Sequence, residues 1–305
     1  MKRYLCNVLL AGCSLFTLAA FAAKNAGWMA PVVKDTTAMP PLTWKEHWFE
    51  HAQVMRRVFS NSSVTVYYDK ETPESITWPD TLLTKVWNYT TKTYGAFGKD
   101  NRLFVLLHTG KYGGGHPSTY FDGSHDYRNV IDVGHEGDWV SNTGWNLDAA
   151  VHEVGHIVEG AAKGVHGSPA FPIWKDSKWM EIYQYDVYRA LGWDAEAQRW
   201  FDTQMKNTDN FPRPGTQWFK NWFYPVYHQY GGAKVLNNFF TILAANFPRN
   251  GNGYTRDMNW GEFIHFWSGA AGVNLKPQAT IAFGWPASWE EEFLQAQKEF
   301  PGVKY

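Results

Sequence analysis

Hydrophobic positions follow a strand-like pattern early in the chain. Three short runs of β-branched, aromatic and aliphatic residues are typical of buried strands, and they occupy residues 64–68, 102–108 and 129–133. Between the first two runs, apolar residues recur at helical spacing over residues 81–94. The pattern therefore predicts a strand, a helix and a second strand in the first part of the chain.

A helical period dominates from residue 178 onwards. The predicted helices cover residues 179–191, 196–205, 218–230, 233–246, 260–267 and 289–299. Two more helices are predicted earlier, a short one over 44–59 and another over 147–159. The glycines of residues 111–115 lack the spacing of a phosphate-binding loop, so they indicate a bend beside an edge strand or cleft. Strands early and helices late predict the α+β class.

The first residues resemble an export signal. Lys2 and Arg3 precede an apolar stretch over residues 4–21, which ends in the small-residue pattern Ala20-Phe21-Ala22. This pattern predicts a signal peptide over 1–22 and a secreted or periplasmic protein with no stable membrane span after cleavage. A retained membrane anchor is the first alternative, and a lipoprotein anchored through Cys13 is the second.

The predicted signal also removes both cysteines, Cys6 and Cys13, so any metal in the mature chain must use His, Asp or Glu ligands. After the signal we expect an extension over 23–60, a metal-binding subdomain over 61–195 and a helical subdomain over 196–305. The sequence carries no signal for an oligomeric state.

Composition excludes some classes of protein. The 305 residues are 44% hydrophobic, which suffices for a large core and argues against disorder. The formal net charge of −1 gives no overall positive field, so we expect no nucleic-acid partner.

The chemistry centres on the segment His152-Glu153-Val154-Gly155-His156. Residues four apart share one face of a helix, so His152 and His156 can present imidazole nitrogens to one Zn²⁺ ion. Glu153 is offset around the helix and is predicted to be the general base, which accepts a proton from a water molecule that zinc acidifies. Two incidental histidines on one helix are the alternative interpretation.

Catalytic zinc usually has three protein ligands. Glu181 is the favoured third ligand because it follows on a second predicted helix, after a loop long enough to fold back. His166, in a Gly-rich turn, is the alternative. Glu159 lies one turn beyond His156 on the same helix, so we expect it to orient a metal ligand or to cap the helix rather than to bind the metal itself.

These residues resemble the gluzincin group of zinc peptidases, in which two histidines on one helix and a glutamate on a later helix hold the metal. The resemblance implies a zincin-like fold, His152, His156 and Glu181 as zinc ligands, and Glu153 as general base. It also suggests Asp186 as an outer partner of the ligands, although Asp186 follows Glu181 by five residues where four is usual. The later segments 222–232 and 263–275 look similar to the helical half of secreted members that cleave glycoproteins.

A peptidase also needs a hydrogen-bond donor for the developing oxyanion. Tyr227 and His228, with Tyr224 beside them, are predicted as donors because they cluster before a Gly-Gly turn. An aromatic core helix is the competing interpretation. Three further histidines in loop-like sequence are candidates to line the cleft: His116, His125 and His135.

The sequence thus predicts a secreted zinc endopeptidase that acts on a protein or glycoprotein. A zinc exopeptidase ranks lower, because no acidic motif for binding a free amino terminus stands out. The alternative from another class is an extracellular glycan- or peptide-binding protein on a zincin scaffold without turnover. Its basis is the 17% aromatic content, with 17 tryptophans able to stack on sugars.

Overall fold

The computed structural model describes residues 39–305. The predicted signal peptide over 1–22, the alternative lipidation at Cys13 and the first part of the extension, 23–38, lie outside the described residues. The predicted domain boundaries at residues 61 and 196 stay predictions.

A six-stranded mixed sheet forms the first half of the described chain. Its strands are β1 (Thr43–Lys45), β2 (Val54–Ser60), β3 (Val64–Tyr68), β4 (Leu103–Thr109), β5 (Gly114–Ser118) and β6 (Asn129–His135). Their spatial order is β1-β2-β3-β4-β6-β5. Strand β4 is parallel to both β3 and β6, whereas β5 runs antiparallel to β6 at one edge of the sheet.

Both faces of the sheet are covered, which explains why the central strands are apolar throughout. On the front face, helices α1 (Trp78–Tyr94) and α2 (Trp145–Ala161) pack over the alternate residues Val105, Ile131 and Val133. On the back face, the segment that runs from β1 to β2 covers a smaller apolar layer. That layer consists of Trp44, Trp48, Met55, Tyr67, Phe104, Leu106 and Val130.

The second half of the described chain is helical. Its helices are α3 (Phe171–Ala190), α4 (Asp194–Gln204), α5 (Tyr224–Gln229), α6 (Ala233–Asn246), α7 (Trp260–Ala271), α8 (Lys276–Phe283) and α9 (Ala287–Glu299). A π-helical turn over Phe219–Phe223 leads into α5, and a small hairpin, β7 (Arg249–Asn250) with β8 (Gly253–Tyr254), precedes α7. An α+β chain with an N-terminal mixed sheet and a helical C-terminal part is what the pattern predicted.

Most predicted elements are confirmed, with several differences. Part of the bend expected over residues 111–115 belongs to strand β5, and the hairpin of β7 and β8 was not expected. The prediction of a helix over residues 44–59 is wrong, because this segment forms strands β1 and β2 of the sheet. Trp44 and Trp48 are four residues apart, as on one helix face, but they are buried against the back of the sheet instead. Helix α8 was not expected from the pattern.

Helices α2 and α3 approach each other closely at Gly155. A Cβ atom at this position would lie 2.8 Å from Met180 Sδ and 2.9 Å from Tyr183 Cδ1, so only glycine allows the contact. The glycine between the two histidines of the motif therefore lets α3 pack directly against the motif helix.

Aromatic residues form much of the helical core. Seven tryptophans are less than 2% exposed, namely Trp87, Trp139, Trp174, Trp179, Trp218, Trp222 and Trp267. These indoles are unavailable for stacking on sugars. Among residues 39–305, no helix is long and apolar enough to cross a membrane.

Candidate metal and catalytic site

Helix α2 carries the motif as predicted and brings its two histidines together. His152 Nε2 lies 3.2 Å from His156 Nε2. His156 is buried at the wall of a cleft, and His152 is half-buried. The i and i+4 spacing therefore sets both imidazoles toward one point.

Asp176 provides the third atom at this point. Its Oδ1 lies 3.4 Å from His156 Nε2. The adjoining Lys175 has a left-handed backbone conformation, with φ 55°, which interrupts α3 after its first turn. The break puts Asp176 at the start of the long part of α3, with its carboxylate facing α2.

These three side chains fit a zinc ion. Tetrahedral ligands at the usual zinc distances are separated by about 3.3–3.4 Å, close to the 3.2 Å and 3.4 Å found here. The potential ligand atoms of His152, His156 and Asp176 all lie within 4.8 Å of one another. Two imidazoles and one carboxylate are ligands that zinc accepts.

An outer carboxylate orients the second histidine. His156 Nδ1 donates to Glu159 Oε2 at 3.0 Å, and Trp174 Nε1 donates to the other oxygen of Glu159. A carboxylate on the far nitrogen fixes the ring and increases its basicity as a ligand. Although burial lowers it, the pKa of His156 is raised overall by Glu159. The contact of Glu159 with His156 agrees with the position expected for it, and its role toward a metal stays a prediction.

His152 is held in the neutral form. Burial, with the neighbouring His156, lowers the pKa of His152 to about 4. A neutral imidazole is the form that binds metal.

Glu153 lies against the edge strand β5. A Cβ atom on Gly115 would come 2.7 Å from Glu153 Oε1, so the absence of a side chain there makes room for the carboxylate. Burial raises the pKa of Glu153 to about 7, with opposing attraction from His156. A carboxyl group with such a pKa can both accept and release a proton near neutral pH.

A cleft of about 280 Å³ opens beside His156. The end of β5, the last turns of α2 and the loop after it form the walls, and lining residues include Pro117, Ser118, Gly160, His166, Ser168 and Phe171. The site is thus accessible from solvent at one edge of the sheet.

Glu181, the third ligand expected from the sequence, does not join the group formed by His152, His156 and Asp176. It follows Asp176 by five residues, a rotation of about 140° around a helix, so the two cannot share a face. Its Oε1 is 2.5 Å from Lys178 Nζ, which also binds Asp209 Oδ2 at 2.9 Å. Glu181 therefore belongs to a buried ion-pair network between α3 and the loop after α4.

Tyr227 and His228, the predicted oxyanion donors, lie elsewhere. Tyr227 donates its hydroxyl hydrogen to Asp186 Oδ1 at 2.8 Å. Asp186 follows Asp176 by ten residues on one helix, which corresponds to about 15 Å. His228 is exposed and stacks on Tyr224. Asp186, the predicted outer partner of the ligands, therefore contacts Tyr89 and Tyr227 and lies away from Asp176.

The other histidines named from the sequence lie in three places. His166 lines the cleft, with its ring packed on Phe121, but it is not within the metal-binding group. His135 packs on Trp145 near the start of α2. His116 and His125 have their Nε2 atoms 3.2 Å apart, and both lie near Asp132 on the back of the sheet.

Sequence reasoning missed Asp176. An available signal was its position, because aspartate favours the first positions of a helix and the predicted helix at 179 begins three residues later. The expectation of glutamate as the third ligand directed attention to Glu181 instead.

The fold resembles known structures at low sequence identity. A conserved Bacillus anthracis protein of unknown function superposes with a TM-score of 0.51 and 13% identity, over 79% of this chain and 51% of that one. An M1 zinc metallopeptidase from Deinococcus radiodurans gives a TM-score of 0.48 and 12% identity, over 75% of this chain and 51% of that one. The chain thus spans about half the length of either, and the likeness to the first extends to the fold alone. No family model and no curated protein matches the sequence.

Proposed function

We propose that the chain is a zinc-dependent peptidase in which His152, His156 and Asp176 hold the metal. The observation that carries the proposal is their convergence beside Glu153, a buried carboxylate set against the edge strand β5. Asp176 takes the place of Glu181, the third ligand predicted from the sequence. The zincin-like assignment of the fold rests on the same arrangement of motif helix, following helix and edge strand.

Glu153 has the position of a general base. When bound, zinc supplies Lewis acidity to a carbonyl oxygen and to a water molecule. Glu153 accepts the proton from the attacking water and delivers it to the amine nitrogen of the leaving group. Glu159 keeps the His156 ring in place throughout, through the Nδ1 hydrogen bond.

Strand β5 supports a peptide as substrate. It pairs with β6 on one side only, because it is the last strand of the sheet. An extended chain can add to such an edge by main-chain hydrogen bonds, and Gly115 would hold it beside Glu153. We extend the proposal to internal bonds of secreted proteins or glycoproteins, in line with the predicted export signal.

The first test is the substitution Glu153→Gln, assayed on a fluorescently labelled unfolded protein. We expect hydrolysis to fall by about 100- to 10,000-fold, since the base is lost, while bound zinc is unchanged. Full activity in this variant would contradict the proposal. Peptide binding without turnover in the parent chain, unaffected by Glu153→Gln, would instead favour the alternative of a binding protein.

The second test separates the two third-ligand assignments. Asp176→Asn should weaken zinc binding at this site by at least about 100-fold, measured by competition with a coloured chelator. Glu181→Gln is the matched control and should retain the metal, because its carboxylate is paired with Lys178. The reverse result would return Glu181 to the ligand set.

A further inference from the structure

A second group of histidines and carboxylates lies on the back face of the sheet. Glu46 and His51 come from the segment between β1 and β2, His108 from β4 and Asp132 from β6. All four are buried, with exposures of 1%, 8%, 0% and 1% in that order. Because successive strand residues face opposite sides, His108 and Asp132 point away from α2 and from the cleft.

The polar atoms of this back-face group converge on one point. His108 Nε2 is 2.9 Å from Glu46 Oε1 and 3.0 Å from Asp132 Oδ1. His51 Nδ1 is 3.0 Å from Asp132 Oδ2 and 3.5 Å from Glu46 Oε1. These separations bracket the distance of about 3.3–3.4 Å expected between the ligands of one tetrahedral zinc ion.

Three of these atoms lack a hydrogen-bond partner of acceptable geometry, although they are fully buried. They are Glu46 Oε1, His108 Nε2 and Asp132 Oδ1. Buried polar atoms are normally satisfied, and an exception calls for an explanation such as an ion. A cation placed between these atoms would satisfy all three.

We propose that Glu46, His51, His108 and Asp132 bind a second divalent metal ion, of the zinc class, in a closed structural site. Two carboxylates and two neutral imidazoles balance the charge of a divalent ion, which removes the cost of burying unpaired charge. Four protein ligands and no solvent access are typical of structural rather than catalytic zinc. The mixture of imidazole and carboxylate ligands suits zinc.

Outer contacts hold these ligands in place. Trp48 Nε1 donates to Asp132 Oδ2 at 2.8 Å, and the backbone N–H of Gln53 donates to Glu46 Oε2 at 2.9 Å. The His51 ring stacks on Tyr112 at 3.6 Å. Such contacts orient metal ligands in known sites.

The role we infer is a cross-link. Residues 39–305 contain no cysteine, and the segment from β1 to β2 crosses the back of the sheet. An ion held by Glu46 and His51 on one side and by His108 and Asp132 on the other would fasten this segment to β4 and β6. The contribution to folding is then metal binding itself.

The competing arrangement is a metal-free ion-pair network. In the absence of an ion, burial lowers the pKa of His108 but Asp132, Asp69 and Glu46 raise it to about 11, so the ring would carry a charge. The two arrangements differ in one measurable property, the metal content of the back-face group.

The test uses the full chain with the first site removed by His152→Ala and His156→Ala. After dialysis against Zn²⁺ and then buffer, we expect about one zinc per chain in this variant and about two in the parent, by elemental mass spectrometry. Adding His51→Ala should remove the remaining ion. Adding His47→Ala instead is the matched control, since His47 lies on the same segment but is exposed, lies against Asp126, Lys45 and Trp48, and is outside the buried group.

A second measurement needs no substitution in the buried group. Co²⁺ added to the metal-free double variant should give visible absorption bands typical of a tetrahedral ion, and the melting temperature should rise. Less than about 0.1 zinc per chain in the folded double variant, with no Co²⁺ bands, would overturn the proposal in favour of the ion-pair network.

Discussion

The two groups of potential metal ligands lie on opposite faces of one sheet and differ in exposure. His156 borders a cleft, His152 is half-buried, and the side chain of Asp176 is 75% exposed. Glu46, His108 and Asp132 are at most 1% exposed and belong to strands or to the segment that covers them. Similar ligand types can therefore suit a catalytic or a structural site, because solvent access decides whether a further molecule can reach the ion.

The difference in burial between the two ligand groups predicts a difference in the stability of their variants. Asp132→Asn should lower the free energy of unfolding by about 3–5 kcal/mol, because it removes one partner of the buried ion pairs with His51 and His108. Asp176→Asn, at the exposed carboxylate, should cost less than about 1 kcal/mol in metal-free protein. Urea unfolding of both variants in a chelator checks this, and equal losses would remove the distinction between the two groups.

Hydrolysis at the cleft should depend on the absence of a side chain at Gly115 in the edge strand β5. Gly115→Val should reduce hydrolysis by about 100- to 1000-fold, because the new side chain displaces Glu153, the proposed general base. Zinc content should not change. Gly113→Ala is the control, since a Cβ atom there makes only ordinary contact with Glu136 at 3.5 Å. Activity of Gly115→Val within threefold of the parent would count against Glu153 as base.

Asp186 is a buried carboxylate that faces hydroxyl groups rather than a cation. Tyr89 and Tyr227 donate to it at 2.7 Å and 2.8 Å. Burial raises the pKa of Asp186 to about 6, although these hydrogen bonds oppose the rise. A raised folded-state pKa favours folding at low pH, and this contribution is lost as pH rises through about 6.

The corresponding experiment compares the parent chain with Asp186→Asn. Relative to the variant, the parent should gain about 2–3 kcal/mol of stability as pH falls from 7 to 4. Denaturant unfolding of metal-free protein across this range provides the measurement. A constant difference would mean that the pKa of Asp186 is ordinary.

Tyr227→Phe is expected to have the smallest effect. It removes one donor to Asp186 and should cost about 1 kcal/mol of stability, with kcat changed less than threefold. Tyr89→Phe is the matched variant on the other oxygen. A selective loss of about 100-fold in kcat for Tyr227→Phe would restore the oxyanion role predicted from the sequence.

Local periodicity predicted much of the fold. Helix α2 and strands β3, β4 and β6 were found because apolar spacing and residue type agree within each segment. The segment from β1 to β2 was mistaken for a helix, since burial of Trp44 and Trp48 is decided by the back of the sheet. Tertiary packing of this kind overrides a short local pattern.

The candidate site was predictable only where its residues are close in sequence. His152, Glu153 and His156 share one helix face, so their spacing carries the geometry. The position of Asp176 depends on the backbone break at Lys175, which no local sequence pattern predicts. The back-face group joins residues as far apart as Glu46 and Asp132, and only the order of the strands brings them together.

Two neighbouring residues of β5 contribute to opposite faces of the sheet. Gly115 makes room for Glu153 in front, while His116 pairs with Asp132 and has its Nε2 3.5 Å from Asp132 Oδ2 behind. A shift of the strand by one residue would exchange the two faces, driving an imidazole into the carboxylate of Glu153 and leaving a glycine behind. The register of a single five-residue edge strand is therefore fixed from both sides, and a slip of one residue within the strand would disable the cleft and disturb the buried group together.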